Sequence, residues 1–517
     1  MAYLALPLGA ATLLACYVVA RFLRRRGNLP PGPPGLPILG NALEILQTRV
    51  WKTFADWGGL YGPVTYAEAL GRPMIIINTV DAARDLMEKK GAIFSNRPKL
   101  PTLGMIGWDV TLPLLQYNSP RYRTQRRLMQ EHLGPSTIRS FDNVMEERVQ
   151  IFLNRLLISP DEFHQDILGH VASINLVAIY GHKVSCNPSK DPFVMMNDEA
   201  VKMTVSTGNL GSTIIDLFPF LRHLPPWFPG MGLKQKALLA RDAKSKAFSL
   251  PYEGAMSRKV SGTTDPALLY KIFDNYSLAS GMNSQEEGDI KTFAGTFYLE
   301  LLAADTFAET TTALTVFFFM MVSNRHVQRR AQEEIDKIVG HDCLPSFSDR
   351  ANLPFIDCIV KEVLRFHPPV PLGIPHESTR AHEYRGWDIP GQAMVIANIW
   401  QMMRDAQSFP DPEKFDPDRH AAHSKTPYDP VAPVFGFGRR VCPGRAFAES
   451  VMWITIANVL AAFDISPWKD PVTGEEVLPV ADNKSNIINN IPPFKCRILP
   501  RKSKLAQISG NSGLDSA

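Results

Sequence analysis

One stretch of the chain concentrates the residue types that metal chemistry needs. Phe435-Gly436-Phe437-Gly438-Arg439-Arg440-Val441-Cys442-Pro443-Gly444-Arg445 surrounds a single cysteine with glycines, arginines and a proline. Glycines let backbone N–H groups come close to a sulfur and to a flat ligand, and positive charge nearby favours the ionised thiolate, the form that binds metal. Ala446 to Phe463 then runs almost wholly apolar at helical spacing, so Cys442 is expected just before a helix N-terminus, whose dipole also favours an anion. The plain alternative is an inert cysteine in a turn before a helix.

Two further groups carry chemistry. Glu362-Val363-Leu364-Arg365 places opposite charges three residues apart on one helix face, a spacing that by itself reads as a surface ion pair. Asp305 with Thr306, and Glu309 with Thr310, offer two acid-and-hydroxyl pairs four residues apart, hence on one helix face.

The elements that must position these residues are mostly helical. Asp81 to Lys90, Arg121 to Leu133, Ile290 to Ile338 and Phe355 to Phe366 hold apolar and polar residues at helical spacing without interior prolines. Strands are short: Pro73 to Asn78 and Ala393 to Ala397 read as buried strands bounded by turn-forming or polar residues. No repeat or long linker interrupts the chain beyond residue 40, so one catalytic domain over 41–500 is expected, followed by a polar tail over 501–517.

Composition excludes several classes. Hydrophobic residues at 45% and charged residues at 21% describe a folded domain with a sizeable core. The 55 basic residues nearly offset 51 acidic ones, which argues against a nucleic-acid partner. Six scattered cysteines without CxxC pairs fit neither a zinc site nor a disulfide framework. Residues 1–20 carry no charge and have about the length a membrane-spanning helix needs. Arg21, Arg24, Arg25 and Arg26 follow, an order that suits an uncleaved single-pass anchor with the rest of the chain cytosolic. Pro30 to Pro37 then reads as a stiff extended spacer, closing a basic flank and hinge over 21–40.

Phe435-xx-Gly438-x-Arg440-x-Cys442-x-Gly444 resembles the haem-binding signature of the cytochrome P450 family at every defined position, most like fungal microsomal members. Phe415-Asp416-Pro417-Asp418-Arg419 resembles another family signature, whose arginine joins the Glu-Arg helix pair; the resemblance thus implies a buried structural triad of Glu362, Arg365 and Arg419. Tyr122-Arg123-Thr124-Gln125-Arg126 is similar to the element whose aromatic and arginine contact a haem propionate, with Tyr122 where the family carries tryptophan. Arg440, His376 and Arg97 match further propionate positions, and His376 reads equally as a satisfied core histidine. Phe435, Gly436 and Gly444 complete the cofactor-binding set around the axial ligand Cys442. The oxygen-activating helix departs from the pattern: neither Asp305/Thr306 nor Glu309/Thr310 falls in clean register, so both pairs stay open as the proton relay.

The resemblance implies a mainly α fold with a small β-sheet region and one haem b. It also implies electrons from NADPH through cytochrome P450 reductase, with cytochrome b5 as a second donor, and an endoplasmic reticulum membrane location. The implied reaction is hydroxylation or epoxidation of a hydrophobic small molecule. A family-fold isomerase or dehydratase that does not use O2, and a haem-binding membrane protein without turnover, are the rival readings. Met105, Ile106 and Trp108 fall where the family's variable substrate loop lies and read equally as substrate contacts or as core.

Overall fold

Proline dihedrals keep Asn28 to Gly35 extended. The segment does not stand off as a spacer. Tyr66 N–H donates to Pro31 O at 3.0 Å, and a Cβ on Gly32 would fall 1.8 Å from Tyr66 O. The hinge is thus bound along the first strand. The computed structural model describes residues 28–207, 213–262, 267–279, 283–300, 309–421, 429–481 and 489–501. The expected anchor over 1–20, and the basic flank as far as residue 27, lie outside the described residues. Among the described residues no helix is long and apolar enough to cross a membrane.

The chain divides into two discontinuous units. The first draws on Met1–Pro98, Leu372–Met402 and Phe437–Arg440; the second draws on Lys99–Pro371, Met403–Gly436 and Val441–Ala517. The domain expected over 41–500 is therefore interleaved, and the cysteine motif itself contributes to both units.

In the first unit, β1 (Val64–Ala69) and β2 (Arg72–Ile77) form an antiparallel hairpin in register from Val64 opposite Ile77 to Ala69 opposite Arg72. Leu70 and Gly71 join them, both with positive φ, the geometry that suits the twist of a two-residue hairpin loop. β3 (His376–Glu377), β4 (His382–Tyr384), β5 (Trp387–Ile389) and β6 (Met394–Ala397) follow. The main sheet has the order β1-β2-β6-β3, with β6 parallel to β2, while β4 and β5 pair separately. Ile75, Ile76 and Ile77 are all fully buried, which is why this strand shows no polar alternation. Helix α1 (Val50–Tyr61) lays Val50, Phe54 and Trp57 on Ala67, Met74 and Ile76. The helix expected over Asp81–Lys90 starts as a single α turn and continues as a π-helix over Arg84–Lys89.

The second unit is a helical body. Its long helices are α2 (Pro120–His132), α3 (Asp142–Ile158), α4 (Phe163–Tyr180), α5 (Pro192–Ser206), α6 (Gly232–Val260), α7 (Leu268–Ala279), α8 (Ser284–Glu300), α9 (Glu309–Ser323), α10 (Arg325–Ile338), α11 (Pro354–Phe366) and α12 (Arg445–Ala462). The stretch read as continuous from Ile290 to Ile338 is thus borne by α8, α9 and α10, with Asn324 between the last two. α9 and α12 are buried on nearly every face, as helices apolar all round must be, and pack on each other and on α11. β7 (Phe463–Lys469), β8 (Glu476–Val477) and β9 (Cys496–Pro500) form a sheet ordered β8-β7-β9. Arg501, placed in the tail by sequence, is held by Asp336 and by Ala461 O at 3.0 Å.

Candidate active site

Cys442 lies where the sequence places it, three residues before α12. Its N–H donates to Phe435 O at 2.8 Å, closing the loop that runs between them. Gly436 and Gly438 take φ of 83° and 54°, left-handed values at which a side chain is strained. A Cβ on Gly438 would stand 2.4 Å from Met87 O in the π-helical segment, so close approach and backbone conformation both require glycine there. A Cβ on Gly444 would lie 3.9 Å from Cys442 Sγ and 3.9 Å from Phe297 of α8. The thiol is half-buried against the apolar core of the second unit, beside the buried ring of Phe435.

The arginines of the motif serve different ends. Arg445 is neutralised by Asp429 and by Glu449 at 2.8 Å, with its guanidinium 5.0 Å from the Phe435 ring centre. Arg440 turns its Nε–H to Ser95 O at 2.8 Å, and Arg439 alone of the three is exposed.

On α2, Ser119 caps the helix by accepting from Tyr122 N–H at 3.2 Å, and Pro120 begins it. Tyr122 and Arg126 then share a face one turn apart. Tyr122 is buried with its ring 5.4 Å from that of Tyr117. Arg126 donates to Val441 O at 2.8 Å, which delivers a guanidinium to the residue next to the cysteine.

The first unit brings together Arg97, His376 and Arg440. Arg97 is buried and donates to the carbonyls of Ile374 and Pro375, the latter at 2.9 Å, and His376 Nδ1 meets Phe94 O at 2.6 Å. Burial pushes the His376 imidazole well below its ordinary value, and Arg97 and Arg440 push it further. Two guanidiniums beside a neutral imidazole make a place suited to anionic groups.

Of the two acid-and-hydroxyl pairs, Asp305 and Thr306 lie outside the described residues. Glu309 opens α9, and burial pushes its carboxyl up to about 7. Thr310 and Thr311 follow, both buried, and neither hydroxyl has a hydrogen-bond partner among the described residues.

The triad is assembled. Arg365 grips Glu362 in a two-point bridge, Nε to Oε2 at 2.7 Å and Nη2 to Oε1 at 2.8 Å, both side chains fully buried. Arg419 Nε reaches Glu362 Oε1 at 3.2 Å. Its charges are not paired one to one, because a single carboxylate faces two guanidiniums. Carbonyls take up the excess: Met403 and Pro412 receive from Arg365, and Pro410 and Lys414 from Arg419. Sequence reasoning missed His420, whose Nε2 lies 2.8 Å from Glu362 Oε2, and the Asp416 N–H, which donates to Oε1 at 2.8 Å. Adjacency to Arg419 was the one available signal for His420. Burial would raise the Glu362 carboxyl, but the bonds from Arg365 and His420 outweigh it and hold it below the ordinary value.

A family model described as cytochrome P450 matches residues 30–487. Cytochrome P450 monooxygenase 176 of Postia placenta is 35% identical over 505 residues, covering 96% of each chain. Cytochrome P450 monooxygenase claR of Ampulloclitocybe clavipes is 34% identical over 503 residues, covering 96% of this chain and 91% of its own. Cytochrome P450 monooxygenase COX2 of Coprinopsis cinerea is 32% identical over 495 residues, covering 94% of this chain and 92% of its own. With a half-buried cysteine closing the signature loop and likeness over nearly its whole length, the chain belongs to the cytochrome P450 family.

Proposed function

We propose that this protein is a haem-dependent monooxygenase that inserts one oxygen atom of O2 into a hydrophobic small molecule. The observation that carries the reading is the Cys442 loop: a thiol half-buried before a helix N-terminus, with the Arg126 guanidinium brought to the adjoining carbonyl. The residues fit a haem. Among the described residues no cluster of His, Cys, Asp or Glu could hold a bare ion, whereas a lone thiol suits an iron that arrives with four ligands of its own. Arg126 and Tyr122, beside the Cys442 loop, are groups of the kind that hold a propionate, and the family resemblance implies the same role for Arg97, Arg440 and His376.

When bound, the haem supplies oxygen activation at iron, with the thiolate donating electron density. The chain's own residues do the rest. Cys442 would hold the iron as a thiolate and Arg126 would hold a propionate, and the family resemblance implies the same role for Arg97 and Arg440. His376 is held neutral by burial and by the nearby guanidiniums, with Nδ1–H donating to Phe94 O. Glu309 can hold or release a proton near neutral pH, and the Thr310 hydroxyl beside it is buried with no hydrogen-bond partner among the described residues. That supports Glu309/Thr310 as a relay pair; Asp305/Thr306 stays as the second candidate.

The finer reading is an enzyme of the endoplasmic reticulum membrane, held by residues 1–20 with its catalytic domain cytosolic. It takes electrons from NADPH through cytochrome P450 reductase, with cytochrome b5 as an auxiliary donor. The test is reconstitution with that reductase and a panel of hydrophobic compounds. Compound-dependent loss of NADPH and O2, with a product heavier by one oxygen atom, is expected. Turnover of a compound without O2 would instead assign an isomerase or dehydratase, and no turnover across the panel would contradict the enzyme reading.

A further inference from the structure

The buried face of α6 carries Ala237, Ala240, Ala243, Ala247, Phe248, Pro251, Tyr252 and Ala255, with a lysine in its middle. Lys244 is 8% exposed, whereas Lys246, two residues on, is exposed and pairs with Asp242 at 2.8 Å, as surface lysines do. The Lys244 ammonium has three hydrogens to place. One goes to Gly107 O at 2.8 Å; for the rest, Nζ stands 4.0 Å from the Phe248 ring centre and 5.7 Å from that of Trp108. Among the described residues no carboxylate lies within ion-pair distance of it. Asp109 acts on it from farther off, while Arg121 and Arg241 add positive charge. Burial lowers the ammonium to about 8, which leaves it cationic at neutral pH. A buried cation is normally paired, and this one faces aromatic walls in a neighbourhood already rich in positive charge.

The same cage packs on α8. A Cβ on Gly295 of α8 would meet the Phe248 ring at 2.3 Å, so this ring lies directly on α8. Phe297, two residues on and so on the other side of α8, faces Gly444. Trp108 is fixed in turn by Nε1–H donating to Thr204 Oγ1 at 3.1 Å. We infer that Lys244 anchors a carboxylate on an otherwise apolar substrate, with Trp108 and Phe248 flanking it. The inference rests on the monooxygenase reading and names its substrate class: a hydrophobic carboxylic acid.

The test uses purified, haem-loaded protein and calorimetric binding. Dodecanoic acid, a phenylalkanoic acid and a polycyclic terpenoid acid are each titrated against their own methyl esters. In the wild type at least one acid is expected to bind tenfold or more tightly than its ester. K244M removes that preference, and so does K244Q, which keeps a donor for Gly107 O and deletes only the charge. Equal binding of every acid and ester by the wild type, or a preference that survives in K244Q, overturns the inference. The carbon monoxide spectrum of the same sample separates the two claims. A thiolate-type band without any acid preference sinks the anchor alone; a missing band sinks the monooxygenase reading beneath it.

Discussion

Glu362 accepts from Arg365, Arg419, His420 and the Asp416 backbone, so its charge is what lets two guanidiniums remain in the interior. Removing that charge leaves Arg365 buried without a counter-ion, which costs about 3–5 kcal/mol. E362Q should therefore unfold at markedly lower denaturant than the wild type; stability within about 1 kcal/mol of it, inside the range of ordinary surface changes, would contradict the network's role. The pH dependence has a definite sign. Because the folded carboxyl sits below its ordinary 4.5, its contribution is complete above that pH and drains as pH falls through the lower folded value. The acid limb below pH 4.5 should accordingly be steeper in the wild type than in E362Q. Cys442, Glu362, Arg365 and Arg419 were legible through the resemblance of their motifs to the family's, since the spacing of Glu362 and Arg365 alone reads as a surface ion pair. His420 and Lys244 were not: one acts through a carboxylate far away in sequence, and a lysine in an alanine-rich helix gives no sign of facing inward.

Two glycines separate the strain of a conformation from the cost of a contact. Gly438 and Gly474 both hold positive φ, 54° and 72°, but only Gly438 has a backbone oxygen, Met87 O, 2.4 Å from where a Cβ would stand; Gly474 faces open space. Alanine at Gly474 should cost only the left-handed backbone, about 1–2 kcal/mol. At Gly438 the collision is added, since a carbonyl of the π-helical segment cannot swing away as a side-chain tip would. Thermal melting of G438A and G474A checks this, and equal losses would contradict it. At this scale the sequence was readable where one force decides. The isoleucine run became β2 and the Met394–Ala397 segment became β6, because both are short, apolar and bounded by turns. The π-helical turn after Ala83 was not readable, since it arises from tertiary fit rather than from periodicity. Nor was the docking of the proline segment on β1, where fixed dihedrals predict extension but not a partner.

For the whole molecule, the mainly helical architecture followed from helical spacing and apolar runs, whereas its division into two interleaved units did not. The segment ending at residue 98 and the segment 372–402 share the first unit, which no local pattern reports. We propose that residues 1–20, uncharged and followed by four arginines within six residues, attach the chain to a membrane. Full-length protein should stay with membranes through alkaline carbonate, and a chain starting at residue 28 should be released by it; retention of the truncated chain would contradict the anchor. This protein is expected to bind haem through Cys442. The most direct test is the carbon monoxide difference spectrum of the dithionite-reduced full chain beside that of C442A. A red-shifted Soret band of the thiolate type, present in the wild type and absent in C442A, is the predicted result. A folded wild type without haem, or a band that C442A leaves unchanged, would contradict the account.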